Sequence, residues 1–429
     1  MSCTLLITCG KNEESPIIKL IPSVPAIAPA SNDTTIQVHG LRNWYFHNLP
    51  VTHEYSFLEV HLIKERTSRD VDIWIGSAYM GRHSWCNDSI TAEIILPDDL
   101  ASGVHNLIVS ETGMDTGFFV SHFLLSEPFC VAVSNDWDSP SDGAIFDSNL
   151  TMGSRLHQLH TSLKITHFAG PYAFTDSTIP VVRKHWLSNW LKNRRDNDLD
   201  EIGLHIHPYC CFINLASVEC KTDSGYRSYT DPTGCRIALD RYTEDETFRM
   251  LKCADSVFLA WGLGKPVSFR AGGWTAALHT LKAMEHAGYR VDASACNLSR
   301  GDELTRYHLW EFIARNWFFI GDTSQPYYPS VLNLNSDQKP LLSILEVPDN
   351  GLLADYIDST EMIEVFHKNW PGGFLQHPKH LSIGYHPETV NQYFNRLDGA
   401  LNHIDRFLAV NDSGPVFYVK MSDLPGIWR

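Results

Sequence analysis

From about residue 126 onward the sequence predicts an α/β fold, a distorted parallel (β/α) barrel, and before it an all-β, sandwich-like domain over residues 1–125. Three observations predict this. Beyond residue 126, short apolar runs alternate with helix-period stretches about seven times, and such alternation builds a parallel sheet. Before residue 125 the apolar runs are short and separated by turn residues, with no helix-period stretch between them, which is the pattern of an antiparallel sandwich. Finally, several of the later runs end in ionisable residues, where barrels of this kind assemble their chemistry.

The whole-chain properties fit two domains. The chain has 429 residues, of which 43% are apolar and 20% charged, too many for one ordinary core and too apolar for a disordered chain. The formal net charge of −16 excludes non-specific nucleic-acid binding and docking on anionic membranes as expected roles. No apolar run is long enough to span a bilayer. The opening MSCTLLITCGKNEES has no basic region ahead of an apolar stretch, so no export signal is expected and a cytoplasmic location is. The 10 cysteines follow no framework spacing and are expected as free thiols.

In chain order, Pro16 to Ser31 carries four prolines and reads as a linker or extended arm. The strand-like runs TIQVHG, YSFLEVHLI, VDIWIGS, ITAEIILP, HNLIVSE and TGFFVSHFLL follow, starting at Thr35, Tyr55, Val71, Ile90, His105 and Thr116. After Glu127 the expected strands are FCVAVSND, KITHFAGP, EIGLHIHP, PVSFRAGG, YRVDASA, LLSILEVP, HLSIGYHP and VFYVKMSD. Helices are expected from Asn149 to about Ser162, Ile179 to Arg195, Glu244 to Trp261, Ala276 to Ala287 and Thr389 to Leu408. Segments 209–242 and 297–340 show no usable periodicity. Trp186 and Trp190 stand at i, i+4 and read as a core stripe.

The chemistry-bearing residues lie at strand ends. Asp136 and Asp138, two apart on an extended segment, face the same way. His205 and His207 repeat that spacing. An Asp with two His is a facial ligand set for a divalent metal with open positions. Such an ion polarises a carbonyl and lowers the pKa of bound water to about 7, which leaves the other carboxylate free as general base. Arg270, Asp292 and His386 stand at further strand ends. Each motif alone also has a structural reading: a DxD pair as a cap, an HxH by chance among 21 histidines, Arg270 as a structural ion pair. Their joint order on successive strand ends favours a site. Cys210, Cys211, Cys220 and Cys235 lack the CxxC spacing of a structural zinc site. His157 and His160 share a helix face and read as packing residues, while His377 and His380 lie close before the last motif. GLGKP at Gly262 is not a phosphate loop, and no GxSxG elbow occurs.

NDWDSP, EIGLHIHP, FRAGGW, VDAS and LSIGYHPET, in that order, resemble the five motifs of the polysaccharide deacetylases (carbohydrate esterase family 4, the NodB-homology superfamily). The resemblance covers roughly residues 126–429. It implies a metal-dependent deacetylase acting on an amide that is not a peptide bond. It makes Asp136 the general base, Asp138 and His205 metal ligands, Arg270 the group that orients Asp136, and His386 the general acid tuned by Asp292. Trp274 walls the acetyl pocket, with Tyr209 as a second substrate contact. The implied cofactor is a divalent metal, zinc first, with cobalt, manganese or nickel as alternatives. The implied partner is an amino-sugar or glycan-like substrate, and homo-oligomers are left open. Two departures mark a divergent branch. Trp137 splits the Asp pair, which leaves open an exchange of base and ligand roles between Asp136 and Asp138, and Tyr209 stands where the family's second His falls, so His207 in HxHP becomes the third ligand. Two rivals remain: an amidohydrolase acting on a small metabolite by deformylation or ring-amide opening, and a metal-free glycan-binding module using Trp44, Trp74 or Trp85.

Overall fold

The computed structural model describes residues 36–428 apart from 65–68, 88, 114–118, 140–146, 228 and 301. The arm expected from Pro16 to Ser31 and the chain start, where no export signal is expected, lie outside the described residues. The chain divides into two compact units. The first comprises Met1–Leu41, Glu59–Ile94 and Val104–Phe123; the second comprises Arg42–Leu58, Ile95–Gly103 and Leu124–Arg429.

The first unit is β-rich. Ile36–His39 pairs antiparallel with Phe57–Lys64. Val71–Ile75 pairs antiparallel with Ala78–His83 and with Gly103–Glu111. In Ser89–Ile95 burial alternates residue by residue, so Ile90, Ala92 and Ile94 face inward and the polar positions face out. Ala78–His83 escapes sequence reading because its residues, AYMGRH, are only part-buried and carry no apolar alternation.

The second unit is the distorted parallel barrel. Its strands are β1 (Phe129–Asp136), β2 (Ile165–Ala169), β3 (Glu201–Ile206), β4 (Ser268–Ala271), β5 (Val291–Asp292), β6 (Leu345–Glu346), β7 (Lys379–Tyr385) and β8 (Val416–Val419). Their order is β6-β5-β4-β3-β2-β1-β7, with β8 also on β1. Strand β1 is the centre of the sheet. One edge pairs with β7 throughout; the other is shared, β8 taking Phe129 to Ala132 and β2 taking Val133 to Asp136. All eight residues of β1 are buried, which is why the strand reads as a nearly unbroken apolar run.

The gap between β6 and β7 is closed by irregular chain rather than by a ladder. Gly351 N–H donates to Ser382 O (2.9 Å), Ala354 N–H to Gly384 O (2.8 Å) and Gly384 N–H to Leu352 O (3.1 Å). The close approach requires glycine at 384, since a Cβ there would lie 2.6 Å from Ser134 O and 2.7 Å from a Leu353 methyl. This closure distorts the barrel and brings residues 349–355 to the rim of the pocket.

The helices are α1 (Asp147–Leu159), α2 (Val181–Asn197), α3 (Glu244–Ala260), α4 (Leu278–Ala287), α5 (Trp310–Trp317), α6 (Ser359–Asn369) and α7 (Val390–Ile404). Five match sequence expectations; α5 and α6 were not expected, and α5 lies in a segment without readable periodicity. Two one-turn helices, Tyr172–Thr175 and Cys210–Ile213, complete the set among the described residues. A reciprocal cap starts α3: Glu246 N–H donates to Thr243 Oγ1 (3.2 Å) and Thr243 N–H to Glu246 Oε2 (2.8 Å), an arrangement worth about 1 kcal/mol. Of the expected stripe on α2, Trp190 packs on Trp137, whereas Trp186 is 38% exposed under Arg183, so the stripe is half as wide as expected. Among the described residues, no helix is long and apolar enough to cross a membrane.

Along β1, Cys130 and Ala132 join an apolar cluster with Phe168, Val291, Leu345, Val347 and Val419. Alternation puts Ser134 and Asp136 on that same face, one step toward the C-terminal end. The barrel thus has an apolar floor and a polar upper end, and the Arg270 guanidinium, 4.9 Å over the Phe168 ring, lies between them.

Candidate metal centre and active site

Three ligand-type side chains converge at the C-terminal end of the barrel. Strand β1 delivers Asp136, runs through the fully buried Trp137, and places Asp138 beyond it. Strand β3 carries His205 near its end, and His207 follows just beyond it. His205 Nε2 lies 3.0 Å and His207 Nε2 3.2 Å from Asp138 Oδ1. Ligand atoms of all three fall within 4.8 Å of one another.

The hydrogen bonds on the far side of each imidazole decide what this cluster can do. His205 Nδ1 donates to Arg270 O and His207 Nδ1 to Cys235 O, both at 2.9 Å. A carbonyl only accepts, so each Nδ1 carries the proton and each Nε2 of a neutral ring presents a lone pair. His207 Nε2 is buried without a hydrogen-bond partner. Two lone pairs and a carboxylate directed at one point fit a divalent cation, with the carbonyls as the outer supports such ligands use. Without a cation, burial opposes charge on His207, but Asp138 and Cys235 raise it well above its ordinary pKa. Burial would raise the Asp138 carboxyl, yet His386, His207 and His205 hold it well below the usual range.

Asp136 lies behind this cluster. Arg270 Nη1 reaches both its oxygens (3.1 and 3.0 Å) and donates to Ser134 Oγ (2.8 Å), while Arg270 Nε donates to Ala293 O (2.8 Å). Both side chains are almost fully buried. On the opposite side, His386 Nε2 stands 3.5 Å from Asp138 Oδ2, and its Nδ1 is 2.9 Å from Asp355 Oδ2. Burial works against the His386 cation, but Asp138 and Asp355 raise its pKa to about 10.

The expected partnership of Asp292 with His386 is corrected by this geometry. Asp292 is in register with Glu346 across β5 and β6, and side chains at paired positions of adjacent parallel strands lie side by side. Its Oδ1 accepts from Ser294 Oγ (2.6 Å), and burial raises its pKa to about 6. The partner of His386 is Asp355, from the irregular closure after β6. Sequence reading had no period there to use.

Trp274 walls the pocket in a left-handed conformation (φ 55°), a cost of order 1–2 kcal/mol for a residue with a Cβ. Its Nε1 donates to Asp349 Oδ2 (3.1 Å), and its carbonyl accepts from Trp317 Nε1 (2.9 Å). Tyr209 O–H donates to Asp138 O (3.2 Å). These side chains, with Tyr307, Tyr356, Leu353 and Arg236, enclose a cavity of about 430 Å³. Asp349, Asp355, Tyr307, Tyr356 and Arg236 were not singled out in the sequence. Glu388 lay inside the quoted HPE: Ser139 N–H donates to it (3.0 Å), and burial with Asp138 nearby raises it to about 8.

The remaining candidates are accounted for elsewhere. Cys210 and Cys220 form a disulfide, which corrects the free-thiol expectation for this pair and removes both as zinc ligands. His157 pairs with Asp200, and His160 with Asp398 and Asp405. His380 is fully buried and held neutral, its pKa lowered by burial to about 3. Trp44 and Trp74 are buried and offer no glycan-binding face.

No protein-family model matches the sequence, and no curated protein matches it. Among solved structures, the chain is similar to a family 4 carbohydrate esterase from Streptomyces lividans in complex with acetate. The TM-score is 0.34 at 11% identity, over 70% of this chain and 96% of that one. It is also similar to the Xyl-CE4 domain of a multidomain xylanase from the hindgut metagenome of Trinervitermes trinervoides (TM-score 0.34, 9% identity, 70% and 90% covered). A third is 4-alpha-glucanotransferase from Thermococcus litoralis (TM-score 0.39, 10% identity, 69% and 40% covered). Likenesses this distant carry no argument about chemistry, which the side chains have to supply.

Proposed function

We propose that this chain is a metal-dependent amide hydrolase of the polysaccharide-deacetylase kind, removing an N-acetyl group from an amino sugar or glycan. Residues 126–429 form its catalytic part, and residues 1–125 an accessory β-domain. The observation that carries the reading is the pair of imidazoles whose Nδ1 protons are fixed on carbonyls, so that both Nε2 lone pairs converge on Asp138.

Asp138, His205 and His207 hold the metal, with zinc the first choice for a nitrogen- and oxygen-donor set. The bound ion supplies Lewis acidity for the acyl oxygen and acidity for a water. The protein does the rest. Asp136 takes the proton of the attacking water, and Arg270 holds that carboxylate in place. His386 gives a proton from Nε2 to the departing amine nitrogen, while Asp355 holds its Nδ1 and stabilises the cation. Trp274, Tyr209 and Tyr356 pack the acyl end of the substrate and exclude water.

The test is metal content of the purified chain by elemental mass spectrometry, with acetate release from N-acetylglucosamine oligomers measured on the same preparation. About one ion per chain, lost in His205→Ala, is the expected result. A chain that binds no metal, even after reconstitution, would overturn the reading.

A further inference from the structure

Two arginines line the pocket, and their surroundings differ. Arg270 is buried and committed to Asp136, Ser134 and Ala293. Arg236 is exposed at the mouth. Its guanidinium has one side-chain partner, the Tyr229 hydroxyl, at a long 3.4 Å. Among the described residues, no carboxylate lies within ion-pair distance of it. What sets Arg236 apart from the other arginines without a carboxylate partner is its place on the pocket wall.

The backbone beneath Arg236 is held from both sides. Its N–H donates to Asp231 Oδ2 (3.0 Å), and its carbonyl accepts from His308 Nε2 (2.6 Å). Asp231 also receives Thr233 N–H and Oγ1 (2.9 and 2.7 Å). Gly234 (φ 79°) packs so closely that a Cβ would meet Pro208 O at 2.5 Å and the Cys220 and Cys210 sulfurs at 2.9 and 3.2 Å. The disulfide thus backs the loop whose next residue, Cys235, receives the His207 Nδ1 proton. One turn therefore carries both the carbonyl that orients a ligand imidazole and an arginine beside the same cavity. The donor fork of a guanidinium matches a carboxylate or phosphate.

We propose that Arg236 binds an anionic substituent of the substrate, making the preferred substrate a small acylated amine that carries a carboxylate or phosphate. This rests on the proposed amide hydrolysis for the word substrate, but the anion site itself can be tested by binding alone. A half-open cavity of about 430 Å³, walled by Tyr209, Trp274, Tyr307 and Tyr356, has room for one or two sugar-sized rings.

The experiment uses the metal-loaded chain with three probes: N-acetylglucosamine, N-acetylglucosamine 6-phosphate and N-acetylmuramic acid. Calorimetry measures binding; acetate release measures turnover. An anionic probe should bind about ten- to a hundredfold tighter than the neutral one, as for a charge-assisted pair. That preference should collapse in Arg236→Ala and Arg236→Gln, return in part in Arg236→Lys, and weaken with added salt. Which anionic probe gains more tells carboxylate from phosphate. Equal binding of all three probes overturns the proposal. So does an anion preference that survives in Arg236→Ala, which would place the anion on the metal. If the preference depends on Arg236 but no acetate is released from any probe, the anion site stands and the deacetylase reading falls.

Discussion

Two Asp–His–His clusters lie among the described residues, and they differ in whether their imidazoles can serve the proposed metal. Around Asp138, the imidazole Nδ1 atoms donate to backbone carbonyls, so the Nε2 atoms facing the carboxylate carry lone pairs. Around Asp200, the arrangement is reversed. His157 Nε2 and His167 Nε2 both lie 2.9 Å from Asp200 Oδ2, and the other Asp200 oxygen accepts from Ile165 N–H (2.8 Å). The Asn135 amide nitrogen stands 3.1 Å from His167 Nδ1, so that Nδ1 is the acceptor and Nε2 carries the proton. Arg194 pairs with the neighbouring Asp198 and adds a competing cation. Asp200 is sealed, whereas the Asp138 side chain is 40% exposed in the pocket. Ligand-type residues in ligand-like proximity therefore do not define a metal site; what each imidazole does with its far nitrogen does.

The largest predicted effect tests that contrast directly. His205→Ala or His207→Ala should abolish metal binding and lower acetate release more than about a hundredfold, beyond what an outer hydrogen-bond partner is worth. Asp200→Ala should leave metal content near one ion per chain but cost about 3 kcal/mol or more in denaturant unfolding, because two imidazole N–H groups and the Ile165 N–H lose their acceptor. Metal loss in Asp200→Ala, with the fold intact by circular dichroism, would erase the distinction between the clusters.

His386 is a third kind of histidine, with carboxylates facing both nitrogens. Its cation is favoured by Asp355, so activity that needs it as an acid should fall as pH rises through its raised pKa. Asp355→Asn removes one of the two carboxylates raising that pKa. The alkaline limb of the kcat profile should then move to lower pH, with a loss of about ten- to a hundredfold at neutral pH. An unmoved limb would mean that Asp355 only supports the loop.

The cluster of Asp138, His205 and His207 was legible in the sequence because strand geometry puts residues two apart on one face. The other end of the site was not, because Asp349, Asp355 and Tyr356 come from the closure between β6 and β7, where the backbone has no repeat to transmit a spacing. Asp292 shows the same limit from inside a strand. Its motif was found, but β5 is two residues long, and its in-register neighbour Glu346, rather than any local pattern, decides what the carboxyl touches. Arg236 and the Cys210–Cys220 bond belong to an insertion whose shape is set by turns and packing.

The smallest predicted effect compares two buried carboxyls. Asp200 is desolvated, but His157 and His167 more than offset that and lower its pKa. Glu346 is raised well above the ordinary value by burial and by Asp292, while its Oε1 accepts from Ala295 N–H (2.9 Å). Their contributions to stability therefore run oppositely with pH. Asp200 stabilises the fold above its unfolded value of about 3.9, and that contribution is lost as pH falls through its lowered folded pKa. The Glu346 contribution is complete below about 4.3 and is lost as pH rises toward its raised folded pKa. Glu346→Gln keeps the acceptor for Ala295 and a neutral donor toward Asp292 without a proton to lose. Its melting temperature should match that of the native chain near about pH 4 and exceed it by a few degrees or more near about pH 9. A variant less stable at both pH values would show that Glu346 is ionised in the folded chain and compensated by a donor outside the Asp292 pair.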